Sequence, residues 1–449
     1  MTPEDKLELK KFFRALDDRP LEPKDPVYVP IHKRFDDDPI QRLVANISMQ
    51  ASASVDLLFG QRGSGKSTEL RRLKGLLEEQ GCEVFLCDLE DYLNTTQPVE
   101  EGDFMITLMG AFNDEVNKRF KVDETETSYW ERTTQFLSQE IKLDHASLKV
   151  GGDNLRLALK ENHDFKDKLR EKLGPYSELV KNQAWAFAAK MVDRVRFERN
   201  DPDKKVVVLV DSLEKMGSGS RENALKIYHS VADLFSGHSK SLMIPKLSIL
   251  YTIPPYLPSL VPNLAGLLAG ATLNRLPSVH VSLRNGGVDE GGVEIMRKIV
   301  DKRLSGWQKI FTPEGLGRLA VSSGGDLRDF FRLIQHVLIT VASRKKVELP
   351  VGDSIIKSAE VDLKAGMLPI AKQDAWWLWG IIETKKAELN ELESLFDLAR
   401  FFDTKLVLNY RNGDSWYDVH PLLKNEILEM IEIEQERERK KAAEGEGGG

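Results

Sequence analysis

Cysteine is almost missing from this chain: Cys82 and Cys87 are the only two in 449 residues. Both fall on a predicted strand, five positions apart and so on opposite faces, where neither a disulfide nor a thiolate metal site is expected. A reducing cytoplasm suits such a chain. Long apolar runs are also lacking. The opening MTPEDKLELKKFF has no apolar signal core, and no run of transmembrane type follows, so neither export nor a membrane contact is expected. The nearest approach, Leu247 to Asn274, carries no charge, but Pro254, Pro255, Pro258 and Pro262 interrupt it. It reads as a buried strand, a loop and a short core helix, with a membrane-touching or partner-docking loop as the alternative. A strong excess of one charge is absent too, the formal net charge being −7. Any nucleic-acid contact must therefore come from a local patch. None of the histidines falls in a catalytic constellation, and His420-Pro421 reads as a strand-to-helix turn.

What the chain does have is a glycine-rich run directly after an apolar strand. Val55 to Phe59 leads into GQRGSGKST, Gly60 to Thr68, which fills every fixed position of the P-loop pattern. Gly60, Gly63 and Gly65 allow backbone N–H groups to converge into an anion nest for α- and β-phosphates, and Ser64 and Thr68 complete the loop. Lys66 is expected to reach the β/γ-phosphates. Ser67 is expected to ligate Mg²⁺, and the helix that follows brings its positive dipole end to the same place. A nucleoside triphosphate, ATP in the first instance, is thus the expected ligand.

The rest of the chain alternates strand and helix, which indicates a parallel α/β sheet, and 41% apolar residues suffice for its core. Residues 1–50 read as a helix (Pro3 to Leu16), an extended arm (Pro26 to Pro30) and an amphipathic helix (Asp38 to Gln50). The P-loop core spans 51–285, with a strand at Cys82 to Cys87. A helical insert occupies about 100–200, with helices at Asp103 to Phe120, Ser128 to Ile141, Asn154 to Leu173 and Tyr176 to Arg199, and a hairpin or loop at Gly151-Gly152. Further strands are expected at Leu247 to Thr252 and Val279 to Leu283. Three helices over 286–346 read as a small helical bundle. Residues 347–432 hold Trp376, Trp377 and Trp379 and an Asn412-Gly413 hairpin, and 433–449 reads as a disordered tail. Three tryptophans so spaced cannot share one helix face, so at least one is expected at an interface, with Trp416 packed back on the core.

Lys205-VVVLV-Asp211 is a β-branched run ending in an acid, as a strand buried on both faces presents a carboxylate at the edge of a sheet. Asp211 is expected to hold Mg²⁺ opposite Ser67, and Glu214 to orient the attacking water.

These motifs, in this order, make the chain resemble AAA+ and STAND-type P-loop ATPases, nearest the origin-recognition-like branch and its bacterial and archaeal relatives. The resemblance covers about Pro26 to Ser343 and continues into a winged-helix-like C-terminus. It implies an α/β P-loop sheet of AAA+/ASCE type with helical insert, helical lid and a small α+β C-terminal domain. It also implies an arm beside the adenine, Thr252 as γ-phosphate sensor, and Arg328 of SGGDLRD as the lid arginine, with Arg332 as the alternative. Arg275 of Asn274-Arg-Leu-Pro277 takes the place of an arginine finger, just before the last core strand. The chain departs from efficient AAA+ enzymes in having Ser212, not glutamate, after Asp211, a pattern nearer the STAND form. That favours a slow ATP-dependent switch over a fast motor. Expected partners are further copies of the chain and a protein effector or sensor. The biological setting expected is regulation in a prokaryotic antiphage system. The alternative is a DNA-associated ATPase related to origin recognition, for which Lys385, Lys386, Arg400, Lys405 and the hairpin around Arg411 would supply the contacts.

Overall fold

A computed structural model describes residues 3–32, 38–50, 53–121, 128–143, 152–217, 221–344, 346–387, 394–412 and 414–446. Gly151, Gly413 and 447–449, on which parts of the hairpin and tail expectations fall, lie outside them. Five parallel strands form the central sheet: β1 Ser54–Phe59, β2 Glu83–Asp88, β3 Val206–Asp211, β4 Ser248–Ile253 and β5 Thr272–Arg275, in the order β2-β3-β4-β1-β5. Two antiparallel strands, β6 Val407–Asn412 and β7 Asp414–Val419, make the small C-terminal sheet. The P-loop strand thus stands beside β4 and β5 and is separated from the Asp211 strand by β4, and the expected parallel P-loop sheet is what forms.

The helices are α1 Pro3–Ala15, α2 Pro39–Met49, α3 Lys66–Glu79, α4 Glu101–Phe120, α5 Tyr129–Gln139, α6 Gly152–Glu161, α7 His163–Leu173, α8 Ser177–Arg199, α9 Arg221–Ser236, α10 Leu257–Leu260, α11 Leu264–Leu267, α12 Glu290–Arg303, α13 Pro313–Ser322, α14 Leu327–Ser343, α15 Asp353–Ala365, α16 Lys372–Thr384, α17 Leu395–Asp403 and α18 Lys424–Glu446. Because β3 is buried on both faces, Val207 and Leu209 pack with α2 and α3 while Val206, Val208 and Val210 face the larger core shared with α4, α8 and α9. Cys82 and Cys87 divide between the same two sides. Both thiols are free and pushed up by burial.

Four expectations are corrected. Val279 to Leu283 is not a strand: the last core strand is β5, which carries Arg275 at its end. Pro277 has no N–H to give a ladder, and the Val279 N–H goes instead to the Gly325 carbonyl at 3.2 Å. Only the isolated Ser282–Val288 bridge remains there. The Asn154 to Leu173 helix is broken into α6 and α7, because the Asn162 side chain accepts from Phe165 N and starts a new helix. The hairpin or loop at Gly151-Gly152 gives way at Gly152, which opens α6. Finally, α18 continues to Glu446 through most of the expected tail, supported on its flank by Lys372–Glu434 at 3.1 Å and Arg437–Glu434 at 3.4 Å.

The lid is larger than its three legible helices. Val351, Ile355, Ile356, Ala359 and Leu363, on α15 and just before it, join α12, α13 and α14 in one core. The remaining C-terminal elements pack on the sheet: Leu378, Phe401, Val407, Val419 and Ile427 belong to the same buried cluster as its strands. Trp377 meets Phe401 edge-on at 5.2 Å, and Trp416 stacks on Tyr410 at 4.4 Å. Among the described residues no helix is long and apolar enough to cross a membrane.

Candidate nucleotide-binding site

Register places the chemistry. Asp88 pairs with Asp211, Leu58 with Thr252, and Phe59 with Arg275, so the strand ends and the P-loop share one edge of the sheet. Gly63 and Gly65 have φ of 89° and 85°, the left-handed conformation that a nest requires. Lys66 is 4% exposed and donates to the carbonyls of Gly60 (2.7 Å) and Gln61 (2.8 Å). Burial pushes its ammonium down, against the opposing pull of Glu214 and Asp211.

Asp211 is pushed up to about 7, first by burial and next by Glu214; the neighbouring Ser67 hydroxyl acts in the other direction. A carboxylate and a neighbouring hydroxyl, in a pocket that disfavours bare negative charge, fit a divalent cation.

The role of Ser212 becomes clear in the backbone. It sits at φ 75°, and its N–H donates to Asp211 Oδ1 at 2.9 Å. This turn ends β3 abruptly and starts the short 3₁₀ turn Leu213–Lys215. Glu214, three residues on from Asp211, is thereby brought back to β4, where its Oε2 accepts from the Thr252 hydroxyl at 2.8 Å. Both side chains are buried. Glu214 is thus delivered through a left-handed turn and not from the strand end itself.

One cavity of about 520 Å³ collects most of these groups. Gly63, Gly65, Lys66, Ser67, Thr68 and Glu214 line one part of it, and the arm (Val27, Tyr28, Val29) and lid (Ile299, Leu327, Phe331) supply an apolar end suited to a base. The arm is fixed by Leu21 N donating to Thr68 Oγ1 at 3.0 Å and by Tyr28 OH donating to Glu69 Oε1 at 3.0 Å. Arg328 also lines the cavity and pairs with Asp18 at 2.8 Å. Arg332 lies outside it, half exposed and 3.4 Å from Asp329. Of the two arginines, Arg328 is the one that lines the cavity.

Arg275 stacks over Phe59, 4.9 Å from the ring centroid, and donates to Asn409 Oδ1 at 3.1 Å. It is held by its own chain. Sequence reasoning misses a group of contacts of this kind: Gln61 Nε2 donates to Val407 O at 2.6 Å, Arg62 pairs with Asp403 at 3.1 Å, and Tyr410 OH donates to Gly324 O at 2.9 Å. The segment from Asp403 to Tyr410 lies along the P-loop, β5 and the lid turn. No local pattern announces it, since the partners are far apart in the chain. Arg303 is missed as well; it lines the cavity, lies 4.8 Å over the Phe331 ring and donates to Ala15 O at 3.0 Å.

The lid turn between α13 and α14 depends on Gly325, at φ 80°, where a Cβ would overlap the Val279 carbonyl. Gly325→Ala is expected to destabilise the protein by about 3 kcal/mol, combining backbone strain with steric overlap. Chemical denaturation checks this, and an unchanged midpoint would contradict the close approach.

No family model and no curated protein matches this sequence. Solved structures with a similar layout include the ORC2 protein of Aeropyrum pernix in ADPNP-ADP complexes, at 10% identity, with 94% of this chain and 96% of that one covered and a TM-score of 0.44. They also include the ORC1 protein of the same organism in complex with DNA, at 12% identity, 93% and 98% coverage and a TM-score of 0.35. A point variant of RuvB from Thermotoga maritima follows at 12% identity, 86% and 84% coverage and a TM-score of 0.34. At such scores the likeness carries no argument about chemistry, and the site stands on the residues of this chain.

Proposed function

We propose that this protein binds ATP with Mg²⁺ and hydrolyses it slowly, as a nucleotide-dependent switch. The observation that carries this reading is the convergence of Lys66, Ser67, Glu214 and Arg328 on one cavity, with Asp211 against Ser67 and Thr252 against Glu214. The P-loop N–H groups and Lys66 hold the phosphates. Ser67 and Asp211 suit a Mg²⁺ ion, which when bound would neutralise phosphate charge. Glu214 accepts a proton from, and so orients, the attacking water, while Thr252 fixes its carboxylate. Arg328, leaving Asp18 for the terminal phosphate, converts phosphate loss into a lid movement.

Slow turnover follows from the way Glu214 is supplied. Its position depends on a non-glycine residue in the left-handed region, a conformation that costs about 1–2 kcal/mol, rather than on the strand end itself. Phosphate release is expected below about 1 s⁻¹, under the usual range for enzymes. Hydrogen exchange in α14 is expected to differ between the ATP and ADP states. Turnover in the tens per second would overturn the switch, and failure to bind MgATP would overturn the site.

A DNA-associated role rests on the hairpin and helices that follow the lid. Of the basic residues expected there, Lys385 pairs with Asp418 at 3.0 Å, Arg400 with Asp374 at 2.8 Å and Lys405 with Asp326 at 2.9 Å. Contact with phosphates would therefore draw on other cations. Duplex binding at low salt, with and without ATP, decides this reading. The antiphage setting has no counterpart in the fold or the site. Self-association through Arg275 would require it to leave Asn409, and light scattering with and without ATP tests for it.

A further inference from the structure

Asp326 stands where its charge is unwelcome. It caps α14 by accepting from Asp329 N at 2.9 Å, it is 0% exposed, and its carboxylate lies so close to Gly63 that a Cβ there would run into it. The same corner ties lid to P-loop, with Leu327 N donating to Gly63 O at 3.2 Å. Asp329, 2% exposed, adds a second acid. Two buried carboxylates beside an anion nest repel phosphate unless a cation accompanies them.

That cation comes from the far end of the chain. Lys405, between α17 and β6, places Nζ 2.9 Å from Asp326 Oδ1 and 3.1 Å from Asp329 Oδ2. His420, 3.8 Å from Asp329, is pushed down to about 3 by burial and brings no charge. Arg332 reaches Asp329 alone, at 3.4 Å from a half-exposed position. Lys66 feels Asp326 electrostatically but belongs to the phosphates.

We propose that Lys405 is a positioning residue of the nucleotide site: by neutralising Asp326 and Asp329 it lets the lid dock on Gly63 without repelling phosphate, and it holds Arg328 over the cavity. This rests on the reading of the cavity as a nucleotide site. It makes the affinity for a nucleoside triphosphate depend on a lysine of the C-terminal unit.

The test is calorimetric titration of the full-length protein with ATP, ADP and AMP in Mg²⁺. Lys405→Met, which keeps the aliphatic stem, is expected to weaken ATP by about 30-fold, ADP less and AMP least, because the repulsion scales with phosphate charge. Adding Asp326→Asn, which keeps the helix cap and removes the charge, is expected to bring ATP back to within about threefold of wild type. An equal loss for all three nucleotides, an unchanged ATP affinity, or a double variant no better than the single one overturns the proposal. Absence of ATP binding by the wild type would instead remove the site reading itself.

Discussion

Glu214→Gln binds MgATP with close to wild-type affinity and hydrolyses it about a thousandfold more slowly, the usual scale for loss of a base that orients and deprotonates. The substitution is nearly isosteric, and the amide oxygen still accepts from Thr252, whose hydroxyl lies 2.8 Å from Oε2. The 3₁₀ turn should therefore keep its place. What is lost is the ability to take a proton. Binding is spared because the phosphates are held by the P-loop, not by Glu214. Single-turnover phosphate release with calorimetric affinity checks both halves. A variant that retains wild-type release would move the base elsewhere, and one that loses binding would make Glu214 a structural residue.

Lys66→Ala is expected to lose about 100-fold or more in MgATP affinity, as removal of a buried cation from its anionic partner does. The side chain is 4% exposed and hydrogen-bonded to the loop's own carbonyls at 2.7 and 2.8 Å, so it is poised beside the nest at little further ordering cost. The thermal stabilisation that saturating MgATP gives the wild type should vanish in the variant. If the two proteins are stabilised equally, the phosphates do not lie in this loop.

Where function is encoded in a short stretch, the sequence is readable. Gly60 to Thr68 carries its own backbone requirements, and a β-branched run ending in Asp211 declares a buried strand. Arg328 is reached only through the resemblance of SGGDLRD to a lid motif. Elsewhere the determinants are not local. β5 is four residues long and is defined by its ladder to β1, with no alternation of its own. α15 looks like a separate segment until its apolar face is seen inside the lid core. Spacing is enough to name Glu214, but the left-handed Ser212 that delivers it is a property no residue preference suggests, since serine seldom adopts it. Lys405 reads as one basic residue in a mixed-charge region. Its partners, Asp326 at the N-cap of α14 and Asp329 in its first turn, lie far upstream.

The contact between Gln61 and Val407 has a bearing on how the protein is made. The segment that lies along the phosphate loop leaves the ribosome roughly 340 residues after the loop itself, about 20–70 s at ordinary rates of synthesis. During that interval the loop, the β2 to β3 connection with its five helices, and the lid must wait without their last neighbour. A nascent chain ending after α14 would carry every recognisable motif and still lack the group that hydrogen-bonds Gln61 and the lysine that quenches Asp326. Tight nucleotide capture should therefore arrive only once the segment around Lys405 and Val407 has been made and has docked, making ligand retention a report of that docking.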